Sequence, residues 1–201
     1  MKHQNLLPEN FYTRDVLTVA KDLLGKIFVK DDRDKKYSGI IVEVEAYSGA
    51  TDEAAHTFNG KTKRNEVMFE EGGLLYVYFT YGVHFCSNVV TGKEGESNAV
   101  LLRGIQPING IEFMAMNRFG KKNLSYKEKI NLANGPGKIC QAFNIKREHN
   151  GSDLLGDNIF ILDNKKVADS DIVTTTRIGI KKSVDLPWRF YIKDNTFVSR
   201  K

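Results

Sequence analysis

SGIIVEVEAY (38–47) is the stretch of sequence that decides the fold. Successive side chains of a strand point to opposite faces, so the apolar residues at even positions from 40 to 46 share one face. The other face carries Glu43, Glu45 and Tyr47. Same-face neighbours lie about 6.6 Å apart, which allows both carboxylates to serve one site. The competing interpretation is that this face meets water, where charged residues belong.

Further strands and helices lie on both sides of this stretch in an irregular order. Pro136 marks the first turn of one predicted helix. Strands are predicted at 26–30, 74–81, 83–91, 99–103, 159–162, 172–180 and 188–192, and helices at 13–24, 52–56, 108–118 and from 136. Strands in runs, with helices interspersed and no βαβ regularity, predict a mixed α and β fold with a largely antiparallel sheet. The length predicts a single domain over residues 1–201.

The composition favours a globular protein with an anionic partner. The 201 residues carry a net charge of +5, with a pI near 9.1, and such a surplus suits phosphates, although solvated lysines are the competing interpretation. No apolar run reaches about 18 residues and no signal-peptide pattern occurs, so we expect neither a membrane span nor secretion. Cys86 and Cys140 form no Cys-x-x-Cys pair. They suit a reducing compartment, namely the cytoplasm and nucleoid, or a nucleus.

An aromatic hairpin and nearby cations form a second candidate site. Alternation places Tyr76 and Tyr78 on one face, and Tyr81 falls at the tip beside Gly82. Aromatic residues in strands are usually core residues, but rings in a basic protein also stack on unpaired bases, at about 1–3 kcal/mol per base. Cations available for a DNA backbone are Lys63 and Arg64 in KTKRN (61–65) and Lys138 in GPGK (135–138). A solvated face and a simple turn are the competing interpretations of these two segments.

Signatures of several other enzyme classes are missing from the sequence. There is no His-x-Glu with Pro-Cys-x-x-Cys, which a zinc deaminase requires. Neither Gly-x-Ser-x-Gly nor a dinucleotide fingerprint at a βα turn occurs. The four histidines show no metal-ligand spacing. We therefore expect a mechanism that uses no metal and no cofactor.

Taken together, the motifs resemble the alkyladenine (3-methyladenine) DNA glycosylase family of mammals and many bacteria. The resemblance runs in order from about residue 6 to 199. It rests on VEVEAYSGATDEAAH (42–56), KRNEVMF (63–69), LYVYFTYGVHFCSNV (75–89), AVLLRGIQP (99–107), NGPGKICQAFNI (134–145) and RIGIKK with LPWRFYIKDN (177–182, 186–195). It implies a curved sheet flanked by helices, similar to the C-terminal domain of methionyl-tRNA formyltransferase. It also implies a monomer that flips a damaged purine out of duplex DNA, hydrolyses its N-glycosidic bond with water and leaves an abasic site.

The resemblance assigns a role to each motif residue. Glu45 matches the general base that deprotonates the attacking water, and Arg103 and the backbone of Ile178 match the groups that hold that water. Tyr81 matches the residue that takes the vacated place in the base stack. The residues matched to the base pocket are Tyr47, His56, Tyr78 and Asn88, of which the asparagine is the one that crowds the 2-amino group of guanine.

Three points stay open at this stage. Glu43 is either structural or acts on Glu45 through like-charge repulsion, and Asp52 with Glu53 is interpreted as a helix-start pair. His84 and Ser87 depart from the family pattern near the intercalating loop. The rival functions are a non-catalytic nucleic-acid module of related fold and a sugar hydrolase that uses the two glutamates. A binder gains little from a carboxylate that faces a polyanion, whereas a water-activating enzyme requires one.

Overall fold

We describe the protein from a computed structural model, which covers residues 4–80, 82–156 and 158–200. In this part of the chain the strands form one nine-stranded sheet that curls into a half-barrel, and each strand pair is antiparallel. The strands are β1 (Ile27–Asp31), β2 (Lys36–Tyr47), β3 (Leu74–Thr80), β4 (His84–Thr91), β5 (Asn98–Asn109), β6 (Ser152–Asp153), β7 (Ile159–Leu162), β8 (Ile172–Thr175) and β9 (Arg189–Ile192). The helices are α1 (Glu9–Tyr12), α2 (Val16–Leu23), α3 (Ile111–Phe119), α4 (Tyr126–Ile130) and α5 (Pro136–Ala142). The predicted mixed fold with a largely antiparallel sheet is confirmed.

Strand β2 places both of its glutamates at a fork in the sheet. One edge of β2 pairs with β5. The other edge pairs first with β1 and then, from Glu43 to Glu45, with β9. The register against β5 shifts on either side of Glu43, as at a β-bulge, and a bulge bends the strand and increases its twist. The two carboxylates therefore lie where the sheet bends.

Helix α2 covers the sheet because its apolar residues recur at helical spacing. Asp15 accepts hydrogen bonds from two backbone N–H groups of the first turn, so the helix begins at Val16 rather than at residue 13. The buried side chains of the helix are Val16, Val19, Ala20 and Leu23. They join the core beneath β2, and this core supports the strand that carries the glutamates.

The structure corrects three sequence predictions of element boundaries. Residues 52–56 form turns and no helix, because the backbone hydrogen bonds here close three-residue turns, from the Ala55 N–H to the Asp52 carbonyl and from the Phe58 N–H to the Ala55 carbonyl. The strand predicted at 172–180 ends at Thr175. The helix predicted at 108–118 begins at Ile111, since β5 continues to Asn109. The hairpin of β3 and β4 is confirmed.

Residues 4–80, 82–156 and 158–200 contain neither a candidate membrane span nor a candidate metal-binding group. No helix there is long and apolar enough to cross a membrane. The same ranges contain no group of three or more His, Cys, Asp or Glu side chains placed to hold a metal ion.

Candidate active site

The carboxylate of Glu45 receives three hydrogen bonds from three different parts of the fold. Its Oε1 accepts the backbone N–H of Ile178 at 2.7 Å. Its Oε2 accepts the Tyr47 hydroxyl at 2.8 Å and Arg103 Nη1 at 3.3 Å. Glu45 is fully buried, so the interpretation that this strand face meets water is wrong. The structure brings together the three residues matched to the water site, although it assigns them no role.

Glu43 is equally buried, and its contacts differ from those of Glu45. Its Oε1 accepts Arg189 Nε at 2.7 Å and Arg103 Nε at 3.3 Å, and its Oε2 accepts the N–H of Ser199 at 2.6 Å. Arg103 thus bridges the two carboxylates, with Nε on Glu43 and Nη1 on Glu45. Removing one partner of such a buried pair leaves an uncompensated charge.

A pocket of ≈ 580 Å³ lies directly in front of the partners of Glu45. Tyr47, Arg103 and Ile178 line it, while the Glu45 carboxylate lies behind them. The other walls are formed by side chains of β3, β4, β5 and the 52–69 loop, including His56, Met68, Tyr76, Tyr78, Asn88 and Leu101. The pocket is therefore mostly apolar and aromatic, with one charged corner, which is the usual constitution of a small-molecule site.

Three rings form one wall of the pocket. Tyr76 and Tyr78 are stacked with centroids 5.4 Å apart, as expected for same-face residues of one strand. His56 meets Tyr78 edge to face at 4.4 Å, and its Nδ1 lies 3.2 Å from the Tyr76 hydroxyl. Burial raises the pKa of Tyr76 to about 12. Burial, followed by the charge of Glu45, holds the pKa of Tyr47 well above its usual value. Both phenols therefore stay protonated at neutral pH.

The asparagine of the pocket is held in a fixed orientation. Asn88 is buried in β4, and its Nδ2 donates to the backbone carbonyl of Tyr76 at 3.3 Å. This contact fixes the orientation of the Asn88 side chain in the pocket wall. His84 lies near the start of the same strand, where its Cβ faces Gly137 of α5, and Ser87 is buried.

The predicted DNA-binding cations differ in their surroundings. Arg64 donates from Nη2 to the Phe79 carbonyl at 3.1 Å, and its guanidinium lies 5.6 Å from the Tyr78 ring centroid. Lys63 is exposed beside it. Lys138 donates to the side-chain oxygens of Asn134 at 2.7 Å and Asn131 at 3.1 Å. Tyr81, the predicted intercalating residue, lies outside the described residues.

The pKa of His56 is lowered, first by burial and then by the positive charge of Arg64. The imidazole is therefore neutral at pH 7. We expect Arg64→Gln to raise the pKa of His56 part of the way toward 6.5, because burial, the larger cause, remains. An NMR titration of the ring protons measures this change. Lys61→Gln, which removes an exposed charge in the same loop, is the control, and a His56 pKa that falls or stays constant in Arg64→Gln contradicts the assignment.

The structure also shows a buried ion pair that the sequence did not predict. Arg177 and Asp52 are both fully buried and form a two-point contact across 125 residues. The interpretation of Asp52 as a helix-start residue is wrong, since no helix follows it. The sequence does draw attention to Arg177, because this residue immediately precedes the predicted site residue Ile178. No local pattern in the sequence indicates its partner.

The chain is similar to proteins of one known family. The model of the family described as Methylpurine-DNA glycosylase (MPG) matches residues 10–196. A protein of Clostridium novyi (strain NT) is 48% identical, over 97% of this chain and 98% of its own length. A protein of Carboxydothermus hydrogenoformans is 50% identical, over 98% of this chain and 100% of its own. Each of the two bears the name "Putative 3-methyladenine DNA glycosylase".

Proposed function

This chain belongs to the methylpurine-DNA glycosylase family, and from that membership we propose that it removes alkylated and deaminated purines from duplex DNA. The substrates are 3-methyladenine, 7-methylguanine, hypoxanthine and ethenoadenine. One observation carries the proposal: a backbone N–H, a phenol and a guanidinium converge on the buried carboxylate of Glu45 at the wall of an aromatic pocket. A module that only binds nucleic acid has no use for a carboxylate in that position.

In the proposed reaction, a water molecule attacks C1′ of the damaged nucleotide. Glu45 takes the proton of that water, and the electron pair of the C1′–N bond leaves with the base. The carboxylate also stabilises the positive charge that develops on the sugar. The strand is left intact with an abasic site. A purine alkylated at N3 or N7 is already cationic and departs without protonation, whereas hypoxanthine is neutral and departs more slowly.

The position of the attacking water follows from the contacts of Glu45. In the structure the Tyr47 hydroxyl donates to Oε2 beside Arg103 Nη1. We propose that the attacking water binds next to these two donors, within reach of the Glu45 carboxylate, and that the Tyr47–Glu45 hydrogen bond persists when the base enters. The Ile178 N–H continues to hold Oε1 and keeps the carboxylate oriented.

The aromatic walls receive the flipped base. Tyr47 and Tyr78 pack against its faces, and the neutral imidazole of His56 contacts its edge. Tyr81 fills the vacated place in the stack, and Lys63, Arg64 and Lys138 approach the backbone phosphates. We propose that residues 1–201 act as a single domain and as a monomer, because one chain contains every group that this reaction needs.

The test of this function is base release from a set of duplex oligonucleotides. Each duplex carries one alkylated, deaminated or etheno purine, and the freed base is identified by chromatography. We expect release from one or more of these duplexes and none from the undamaged sequence. Failure with all of the lesions contradicts the proposed function.

Asn88 tests how the pocket excludes normal guanine. We expect Asn88→Ala to improve the rate of guanine release relative to hypoxanthine by about 10- to 200-fold, because a crowding contact of this size is worth about 1–3 kcal/mol. Release of both bases from matched duplexes measures the ratio. Asn117→Ala, which changes an asparagine far from the pocket, is the control. An unchanged ratio in Asn88→Ala contradicts the crowding role.

A further inference from the structure

We propose that the buried Asp52–Arg177 ion pair is the positioning device for the catalytic carboxylate, because it fixes two of the three hydrogen-bond donors of Glu45. The inference rests on the proposed function and extends it to two residues outside the pocket. Neither side chain touches Glu45. Each acts through groups that do, so both are positioning residues.

The pair has the geometry of a rigid clamp. Arg177 Nη2 donates to Asp52 Oδ1 at 2.8 Å, and Nη1 donates to Oδ2 of the same carboxylate. The guanidinium also donates to the carbonyls of Ala46 at 2.9 Å and Ser183 at 3.3 Å. Both side chains are fully buried. A planar guanidinium with several fixed partners holds one orientation, which a flexible ammonium does not.

The first route from this clamp to Glu45 runs along the backbone. Ile178, whose N–H donates to Glu45 Oε1, is the residue after Arg177. Residues 176–188 contain no helix or strand, so no ladder of backbone hydrogen bonds fixes that N–H. The contacts of Arg177 with Asp52 and with the Ala46 carbonyl anchor this segment to the end of β2, where Glu45 also lies.

The second route runs through Tyr47. The Arg177 guanidinium carbon lies 4.6 Å from the centroid of the Tyr47 ring, within cation–π distance. The hydroxyl of the same ring donates to Glu45 Oε2. The same guanidinium carbon lies 5.4 Å from the centroid of the Trp188 ring. Loss of the clamp therefore loosens the donors on both oxygens of Glu45 together.

Stability alone gives a weak reason for such a pair. Replacing a buried ion pair by well-packed hydrophobic residues of similar volume is often neutral for folding, because the desolvation of two charges offsets their attraction. A pair that only stabilised the fold would thus be replaceable without loss of chemistry. A pair that positions Glu45 is not replaceable, since a displacement of about 1 Å at a reacting group costs about 100-fold in rate.

The test is the double variant Asp52→Leu/Arg177→Met, which replaces both charged side chains by apolar ones and leaves no charge unpaired. We expect its single-turnover rate of base release, at saturating enzyme and per active molecule, to fall about 100-fold. Its affinity for a duplex that contains an uncleavable abasic analogue should be unchanged, and its unfolding midpoint close to that of the wild type. This separation of rate from binding and stability is the result that a purely structural pair does not produce.

Glu112→Gln is the matched control. Glu112 lies in α3, outside the residues that line the pocket, and forms an exposed ion pair with Lys122 at 3.7 Å. We expect the single-turnover rate to be unchanged in this variant, because exposed pairs contribute little. A double variant that folds and releases bases at the wild-type rate overturns the inference.

Two further measurements test the positioning role independently of the double variant. Should the double variant fail to fold, Arg177→Lys replaces it: we expect about a 10-fold slower rate, and a wild-type rate overturns the inference. Hydrogen exchange at the Ile178 amide requires no activity, and we expect it to be faster in the variants. Absence of base release by the wild-type protein refutes the proposed function instead. An Ile178 amide that stays equally protected in the variants refutes the positioning role.

Discussion

Glu45→Gln will slow base release by about 10²- to 10⁴-fold, the range that a general base contributes. The amide has the same shape as the carboxylate and can still accept the Ile178 N–H at Oε1. It cannot take a proton from water, and it carries no charge to stabilise the developing cation on the sugar. The measurement is the single-turnover rate on a duplex that the wild-type protein cleaves.

Binding separates this effect from misfolding. We expect Glu45→Gln to bind the damaged duplex as the wild type does, because Glu45 has no exposed surface and contributes no contact at the protein exterior. Glu148→Gln, at an exposed position, is the matched control and should keep the full rate. Equal rates for Glu45→Gln and the wild-type protein would contradict the assignment of the base.

Arg103→Met will lower the free energy of unfolding by about 3–5 kcal/mol, as expected when one partner of a buried ionic group is removed. Arg103 contacts Glu43 through Nε and Glu45 through Nη1, and both carboxylates have fully buried side chains. Glu43 retains Arg189 and Ser199 in the variant, so most of the uncompensated charge falls on Glu45. Urea unfolding at neutral pH measures the loss.

Arg147→Met is the control for this experiment, since Arg147 is exposed in a short 3₁₀ turn. Its free energy of unfolding should stay within about 0.5 kcal/mol of the wild-type value. A similarly small change in Arg103→Met would show that the two carboxylates do not depend on this guanidinium.

Much of the fold could be predicted because its strands are encoded locally. Alternation in 38–47 and the apolar runs around Gly82 fix β2 and the β3–β4 hairpin without reference to the rest of the chain. The short elements α1, α4 and β6 were not predicted, because four, five and two residues are too few to establish a period. The helix predicted at 52–56 is wrong because five residues are too few to establish a period, and Asp52 instead pairs with an arginine 125 positions away.

The site likewise contains residues that local sequence patterns predict and contacts between distant residues that they do not. Strand parity predicts the faces of Glu45, Tyr47 and Tyr78, and the family resemblance adds Arg103 and Ile178 through their motifs. The contacts of Glu43 with Arg189 and Ser199 join residues 146 and 156 positions apart. The Asp52–Arg177 pair spans 125 positions. A single sequence contains no record of such pairings, since the partners are ordinary polar residues until the sheet curls and buries them.

The mass of the damaged strand after reaction tests the central claim most directly. A duplex with one hypoxanthine or 7-methylguanine is incubated with the wild-type protein and, in parallel, with Glu45→Gln, and the strands are then analysed by mass spectrometry. The account predicts an unbroken strand in which a hydroxyl has replaced the base, formed by the wild-type protein and not by the variant. Recovery of the damaged strand unchanged from the wild-type reaction, for these lesions and for alkylated and etheno adenines alike, would contradict it.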